Sequence, residues 1–225
     1  MGEKKISVII PVYNAEWSIV SALDSIKNQT LKDIEIICID DGSTDNSLNI
    51  SQREALHDSR IIALTQKNQG AGPARNMGLR YATGEYIAFM DADDRYPAEN
   101  TLERLFGEIE SSQQKIAGGY VVFDKGEGIE VDESNPIVRL QDRYPNGGVV
   151  QYKELQFDYH FYAFIYKRQF LVDNGIAFPK YRRYEDPPFF VQAMATAGSF
   201  QYLPIPTYVY LVGHQDVVWH EAVCE

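Results

Sequence analysis

The sequence predicts an α/β domain, with a largely parallel sheet covered by helices on both faces. Three observations predict it. Short runs of almost continuous Ile and Val alternate with segments whose apolar residues fall at helical spacing, one unit every roughly 25 to 30 residues, as right-handed βαβ crossovers do. Three of the first four such runs end in polar signatures, "PVYN", "DDGSTD" and "DADD". The 225 residues, 44% of them hydrophobic, suffice for one full core.

The elements follow in order. "KISVIIPVYN" reads as a first strand buried on both faces, since its Ile and Val are nearly continuous. "EWSIVSALDSIKNQT" sets Trp17, Ile19, Val20, Leu23 and Ile26 at helical spacing. "IEIICIDDGSTDNS" is a second strand running into acids and a turn, "SLNISQREALH" a helix, and "RIIALTQKNQG" a third strand. "GPARNMGLRYAT" suits a helix with Pro73 near its start and Gly84 as its stop. "EYIAFMD" is a fourth strand. "PAENTLERLFGEIESSQ" is a helix with Leu102, Leu105, Phe106 and Ile109 on one side. Past residue 120 the pattern loosens. "FDKGEGIEVDESNPIVRLQDRYPNGG" is rich in Gly, Pro, Asp and Asn and reads as loops or short strands beside a cleft. "FYAFIYKRQFLVDNGIAFP" reads as a strand leading into a short helix. "YEDPPFFVQAMATAG" reads as a helix opening on Glu185 and Asp186, and "SFQYLPIPTYVYLV" as a final strand pair. With no repeat, low-complexity tract or linker, residues 1–225 are read as one domain, with halves at 1–110 and 111–225.

Charge and cysteine content narrow the function classes. A net charge of -11 argues against nucleic acid as a partner, because phosphate binding needs clustered Lys and Arg. It leaves nucleotides open, since a metal ion can neutralise their charge locally. Two cysteines, Cys38 and Cys224, form no disulfide framework, and the cytoplasm is the expected compartment. Cys38, inside an apolar strand, reads as a buried small hydrophobe. No run of 18 apolar residues offers a membrane-spanning helix. The apolar N-terminal run is interrupted by Pro11 and lacks a cleavage site, so it reads as a strand and not a signal peptide.

Four acid or glycine-rich stretches carry candidate chemistry. In an extended "DADD", Asp91 and Asp93 point to one side and repel each other unless a cation lies between them. Mg²⁺ and Mn²⁺ are held by one or two carboxylates plus substrate phosphates. The alternative is an acid-rich turn with Asp94 capping the next helix. Asp40 and Asp41 end a buried strand, where a carboxylate can accept from a base or from ribose. Asp45 or a neighbour then caps the helix that follows. In "NQGAGPARNMG", Asn68 and Gly70 form a tight turn. Arg75 falls in the first turns of a helix, where phosphate is bound, or else in a surface salt bridge. Glu185 and Asp186, before two prolines, either cap a helix or supply a general base.

Taken in order, "SVIIPVYN", "DDGSTDNS", "NQGAGPARNMGL", "GEYIAFMDADD" and "YEDPPFF" resemble the family 2 glycosyltransferases of the GT-A fold. The resemblance is strongest over residues 5 to 110. It implies a Rossmann-like sheet, a nucleotide-sugar half, and a looser acceptor half after residue 110. Pro11, Tyr13 and Asp41 are then similar to the pocket for a base, usually uracil. Arg75 and the backbone at Gly70 resemble the donor-diphosphate region. Asp91 resembles the first acid of the metal motif, near ribose and phosphate, and Asp93 its metal-binding acid. Asp186 resembles the catalytic base, with Glu185 helping to hold the acceptor. His214 falls where some members present a late polar residue to metal or phosphate.

The implied activity is inverting transfer from a nucleotide diphosphate sugar, a UDP-sugar, with Mn²⁺ or Mg²⁺, to a hydroxyl of a glycan or lipid-linked acceptor. Such enzymes build bacterial surface polysaccharides, which suggests peripheral association with the cytoplasmic face of a membrane. Family members continue further, which suggests a C-terminally truncated catalytic domain. The chemistry agrees with the acids present: a divalent ion would neutralise the departing diphosphate, and a separate carboxylate would deprotonate the acceptor. Two other readings compete. A sugar nucleotidyltransferase would carry a Gly-rich basic signature after the first strand, where this chain has "PVYNAEWSIV". A catalytically silent nucleotide-sugar-binding module would have no need of Asp93 and Asp186. No GxGxxG follows the first strand, against a dinucleotide-binding dehydrogenase.

Overall fold

A computed structural model describes residues 4–155, 157–181 and 183–213. The first half follows the alternation in the sequence. Strands β1 (Ile6–Val12), β2 (Ile34–Asp40), β3 (Ile61–Thr65) and β4 (Tyr86–Phe89) are parallel, in the spatial order β3-β2-β1-β4. Every residue of β2 is buried, as expected of a strand covered on both faces. Cys38 lies within it, and burial pushes its thiol up to about 12.

Between these strands run α1 (Ile19–Lys27), α2 (Ser47–His57) and α3 (Ala71–Tyr81), with α4 (Thr101–Ser112) after β4. Helix α1 buries Ile19, Ala22, Leu23 and Ile26, spaced as an amphipathic stripe requires. Two residues assigned to that stripe from sequence lie elsewhere: Val20 is on the exposed side, and Trp17 precedes the helix and is 57% exposed. Asp45, one residue before the Asn46 N-cap of α2, accepts from the N–H of Ser47 at 2.9 Å, whereas the Asn46 side chain makes no capping hydrogen bond.

The second half departs from a parallel sheet. Strand β8 (Phe164–Lys167) lies antiparallel to β4, and β5 (Ile116–Asp124) antiparallel to β8. Strand β9 (Ser199–Leu211) runs parallel to β5 and carries β7 (Gly148–Gln151) antiparallel at the edge. A short β6 (Ile129–Val131) pairs with β5. Three of the helices here, α5 (Pro136–Arg143), α6 (Tyr152–Leu155) and α7 (Arg168–Asp173), are shorter than the crossover helices of the first half, and antiparallel pairing needs no long crossover. The result is a mixed nine-stranded sheet.

Ile116–Asp124 form a nine-residue strand, over a segment to which the sequence pattern assigned no element. Two sequence expectations are corrected. Residues 136–143 form an amphipathic helix, with Asn135 accepting from the N–H of Ile137 and Pro136 in the first turn. The final "strand pair" is one strand of 13 residues. Its pairing with β5 is irregular around Gly118 and Tyr120, opposite the stretch holding Pro204 and Pro206. Proline lacks the N–H a regular ladder needs, so the irregularity falls there.

An aromatic core fixes the two halves against each other. Phe89, at the end of β4, lies edge-on to Phe178 at 5.2 Å and to Phe189 at 5.4 Å. Phe178 and Phe189 are stacked at 4.0 Å. Phe189 belongs to α8 (Asp186–Ala197), so the acid-tipped strand and the helix opening on Asp186 are clamped through buried rings. Such pairs each contribute about 0.5–1.5 kcal/mol beyond area burial. Among the described residues, no helix is long and apolar enough to cross a membrane.

Candidate active site

A cavity of about 990 Å³ opens at the carboxyl ends of the parallel strands, where ligands bind in open α/β sheets. Its size lies at the upper end of the roughly 300–1,000 Å³ usual for small-molecule sites. Pro11, Tyr13, Asp41, Gly70, Arg75, Asp91 and Asp93 all contribute to its wall. Residues up to 82 positions apart are thereby brought together. Asp41 and Asp93 share one hollow because β2 and β4 flank β1 in parallel and end at one edge.

Each acid has a distinct local setting. Asp41 is buried, and its carboxylate accepts from the side chain of Gln66 at 2.7 Å, from Gln69 N–H at 2.9 Å and from Gly70 N–H at 2.7 Å. It therefore tethers the loop that leads into α3 while standing on the cavity wall. Gly70 has φ 95°, in the left-handed region that glycine enters without steric cost. That conformation turns its N–H toward Asp41 and lets α3 begin at the next residue.

Arg75 is 4% exposed. One terminal nitrogen donates to Asp91 Oδ1 at 2.7 Å and the other to Glu185 Oε1 at 2.8 Å. The guanidinium also lies over the rings of Phe161 and Phe178, at 4.8 and 5.2 Å. Burial works against its charge, yet Asp91 and Glu185 outweigh that and raise its pKa. The sequence offered phosphate or a surface ion pair as its partner. The geometry is a buried bridge between two carboxylates.

The "DADD" tip is a turn closed by the Asp94 N–H donating to the Asp91 carbonyl at 3.2 Å. Asp91 and Asp93 are partly exposed on the cavity wall, whereas Asp94 is 2% exposed and turned inward. Asp94 does not cap α4, which starts at Thr101. It accepts from Tyr208 Oη at 2.8 Å and from Leu211 N–H at 2.8 Å. Tyr208 Oη in turn accepts from the Asp91 N–H at 2.9 Å. Burial, followed by the nearby Asp91 and Asp93 charges, pushes the Asp94 carboxyl up to about 8. Sequence reading missed Asp94 and Tyr208 as a pair: they stand 114 residues apart, and no local pattern joins them.

Asp186 opens α8 and is not on the cavity wall proper. Its carboxyl is raised by burial and by Glu185 and Asp91, against the pull of Arg75. Glu185 directs its carboxylate to Arg75. The tip acids, the Arg75 bridge and Asp186 thus form one electrostatic unit. His214 lies outside the described residues. Trp17, Asn14, Arg183 and Tyr210 also line the cavity, and none of them was singled out by the sequence motifs.

Among the described residues, no three His, Cys, Asp or Glu side chains form a cage for a metal ion. Hard cations are often held by one or two carboxylates and completed by substrate phosphates. Asp93 and Asp91, on the wall of the cavity, fit that kind of site.

Comparisons with known proteins agree with this architecture. Residues 7–173 match the family described as glycosyl transferase family 2. EpsJ of Bacillus subtilis, an uncharacterized glycosyltransferase, is 32% identical over 210 residues, covering 91% of this chain and 60% of its own. The poly(ribitol-phosphate) beta-glucosyltransferase of Bacillus spizizenii is 34% identical over 216 residues, covering 92% of this chain and 32% of its own. The structure of S. aureus TarS 1-349 in complex with UDP-GlcNAc superposes with a TM-score of 0.79 at 26% identity, over 94% of this chain and 60% of that one. The chain spans less than two thirds of the length of each of these relatives. With a family match over most of its length, and the mixed sheet of the GT-A fold beneath it, the chain belongs to glycosyl transferase family 2.

Proposed function

We propose that this chain is an inverting, metal-dependent glycosyltransferase. It moves a sugar from a UDP-sugar to a hydroxyl of a glycan or lipid-linked acceptor, in the assembly of a bacterial surface polymer at the cytoplasmic face of a membrane. The observation that carries the reading is the single cavity that gathers Asp41, Gly70, Asp91 and Asp93, with Asp186 in electrostatic contact behind it. The uridine nucleotide is supported by the likeness to a structure holding UDP-GlcNAc. The surface polymer is supported by the poly(ribitol-phosphate) beta-glucosyltransferase relative.

In this reading Pro11, Tyr13 and Asp41 receive the base, and the Gly70 turn lies along the diphosphate. Asp91 faces ribose and phosphate, and Asp93 would hold a divalent ion. When bound, that ion supplies charge neutralisation of the leaving group. Arg75 fixes Asp91 and Glu185 in one rigid frame. Asp186 accepts the proton of the attacking hydroxyl, and its raised pKa makes it a better base than an ordinary carboxylate. A single displacement at the anomeric carbon inverts it.

The test is UDP release from UDP-glucose, UDP-galactose and UDP-GlcNAc with Mn²⁺, with and without glycan acceptors. Release that stops with EDTA is expected from at least one donor. Failure of all three to bind or turn over would contradict the reading.

A further inference from the structure

Resting on the transferase reading, we propose that Tyr210, backed by Tyr162, forms an acceptor subsite that takes an uncharged ring sugar. An acyclic polyol phosphate is not its ligand. The strand β9 alternates its side chains, so Tyr208 and Tyr210 fall on one face. Tyr162 covers both: its ring is stacked on Tyr208 at 4.2 Å and 27°, and on Tyr210 at 6.2 Å and 24°. Phe123 meets Tyr210 edge-on at 6.0 Å. Three near-parallel phenol rings therefore form a rigid ladder, and Tyr210 is its member on the cavity wall, beside Asp91 and Asp93.

The ladder stands where an acceptor must rest. Tyr162 lies within electrostatic reach of Asp91 and Asp94 on the donor side and of Asp186 on the other. An acceptor hydroxyl has to meet Asp186 while facing the anomeric carbon of a donor bound at Asp91 and Asp93. Its ring then lies against this aromatic wall. A flat ring offers the C–H face of a pyranose an apolar, preorganised surface, and its phenol offers one directed hydrogen bond. A flexible polyol chain has no such face.

Charge points the same way. Asp91, Asp93 and Asp186 lie within electrostatic reach of the Tyr162–Tyr210 pair, and the chain carries -11 overall. Among the described residues, the guanidiniums on the cavity wall are Arg75, already bridged to two carboxylates, and Arg183, from the loop before α8. An anionic acceptor would meet the Asp186 carboxylate beside the ladder.

The experiment compares UDP binding with acceptor-stimulated UDP release, using octyl glucopyranoside and octyl galactopyranoside against ribitol 5-phosphate and glycerol 3-phosphate. At least one pyranoside is expected to stimulate release, and the polyol phosphates are not. In Tyr210→Ala the pyranoside KM should rise at least ten-fold more than the Kd for UDP. Tyr210→Phe should keep KM within about three-fold, while Tyr210→Leu should resemble the alanine variant. These two variants carry the test if Tyr210→Ala fails to fold. Stimulation by polyol phosphates alone, by no acceptor in the panel, or a Tyr210→Leu enzyme as good as Tyr210→Phe would overturn the inference while leaving the transferase reading intact. A wild-type chain that binds no UDP would overturn both.

Discussion

Arg75 and Glu185 are 110 residues apart in sequence and joined by a 2.8 Å hydrogen-bonded ion pair. Through its other nitrogen the same guanidinium holds Asp91. The acid turn that would face the donor and the helix start that would face the acceptor therefore share one buried cation. Arg75→Met should leave two carboxylates without their partner. The expected cost is about 3 kcal/mol, the lower end for a broken buried pair, because Asp91 remains 27% exposed. Thermal denaturation measures it. Adding Glu185→Gln should recover part of the loss, and strict additivity of the two would count against a shared bridge.

Asp186→Asn keeps the shape of the side chain and removes its basicity. Turnover should fall by roughly 10²- to 10⁴-fold, with UDP affinity changed by less than three-fold. A parallel loss of both would place Asp186 in donor binding. In the wild-type enzyme, burial and neighbouring acids raise this carboxyl. The acidic limb of kcat should accordingly lie above the ordinary Asp value of about 3.9.

Tyr208→Phe deletes one oxygen that serves both Asp94 and the Asp91 N–H. Two buried polar groups lose a partner, so the loss should be about 1–3 kcal/mol. It should be accompanied by a higher Mn²⁺ requirement, because the turn that presents Asp93 is no longer held from beneath. Stability lost with unchanged Mn²⁺ dependence would limit Tyr208 to packing.

Asp94 also sets a pH signature. Its folded pKa is raised to about 8, so the native state holds a proton that the unfolded chain releases near 4. Stability from this group is complete below the unfolded value and is lost as pH rises toward 8. His160 works in the opposite sense: burial lowers it to about 4, so its contribution is present above about 6.5 and lost as pH falls toward 4. The two oppose each other at acid pH and leave Asp94 alone above it. Melting temperature in EDTA should fall between about pH 6.5 and 8, and Asp94→Asn should flatten that slope.

The first half of the fold was legible because strands covered on both faces cannot hide their Ile and Val. β5 was not: "IAGGYVVFD", with two adjacent glycines, lies between the helix read to 113 and the loose stretch read from 123, and was assigned to no element. The structure gives those glycines a packing reason: a Cβ on Gly118 would fall 2.1 Å from the Phe164 ring, and one on Gly119 would fall 2.2 Å from the Ile205 carbonyl oxygen. Strands β8 and β9 approach there too closely for a side chain. Helix α5 was hidden by its eight-residue length among polar residues. In the site, acids at strand ends were visible because the strand pattern fixes where each strand stops. Their partners were not. Nothing local tells that Arg75 faces Asp91 and Glu185, or that Tyr208 reaches Asp94, because those pairings depend on sheet order.

The central claim is that the acid turn after β4 binds a uridine diphosphate through a divalent ion held at Asp93. Calorimetric titration of UDP into the wild-type chain and into Asp93→Ala, each with Mn²⁺ and with EDTA, tests it most directly. The wild type should bind UDP at least ten-fold more tightly with Mn²⁺. Asp93→Ala, with an unchanged circular dichroism spectrum, should lose that increment. Equal affinity with and without Mn²⁺ in the wild type, or a full metal increment in Asp93→Ala, would contradict the claim.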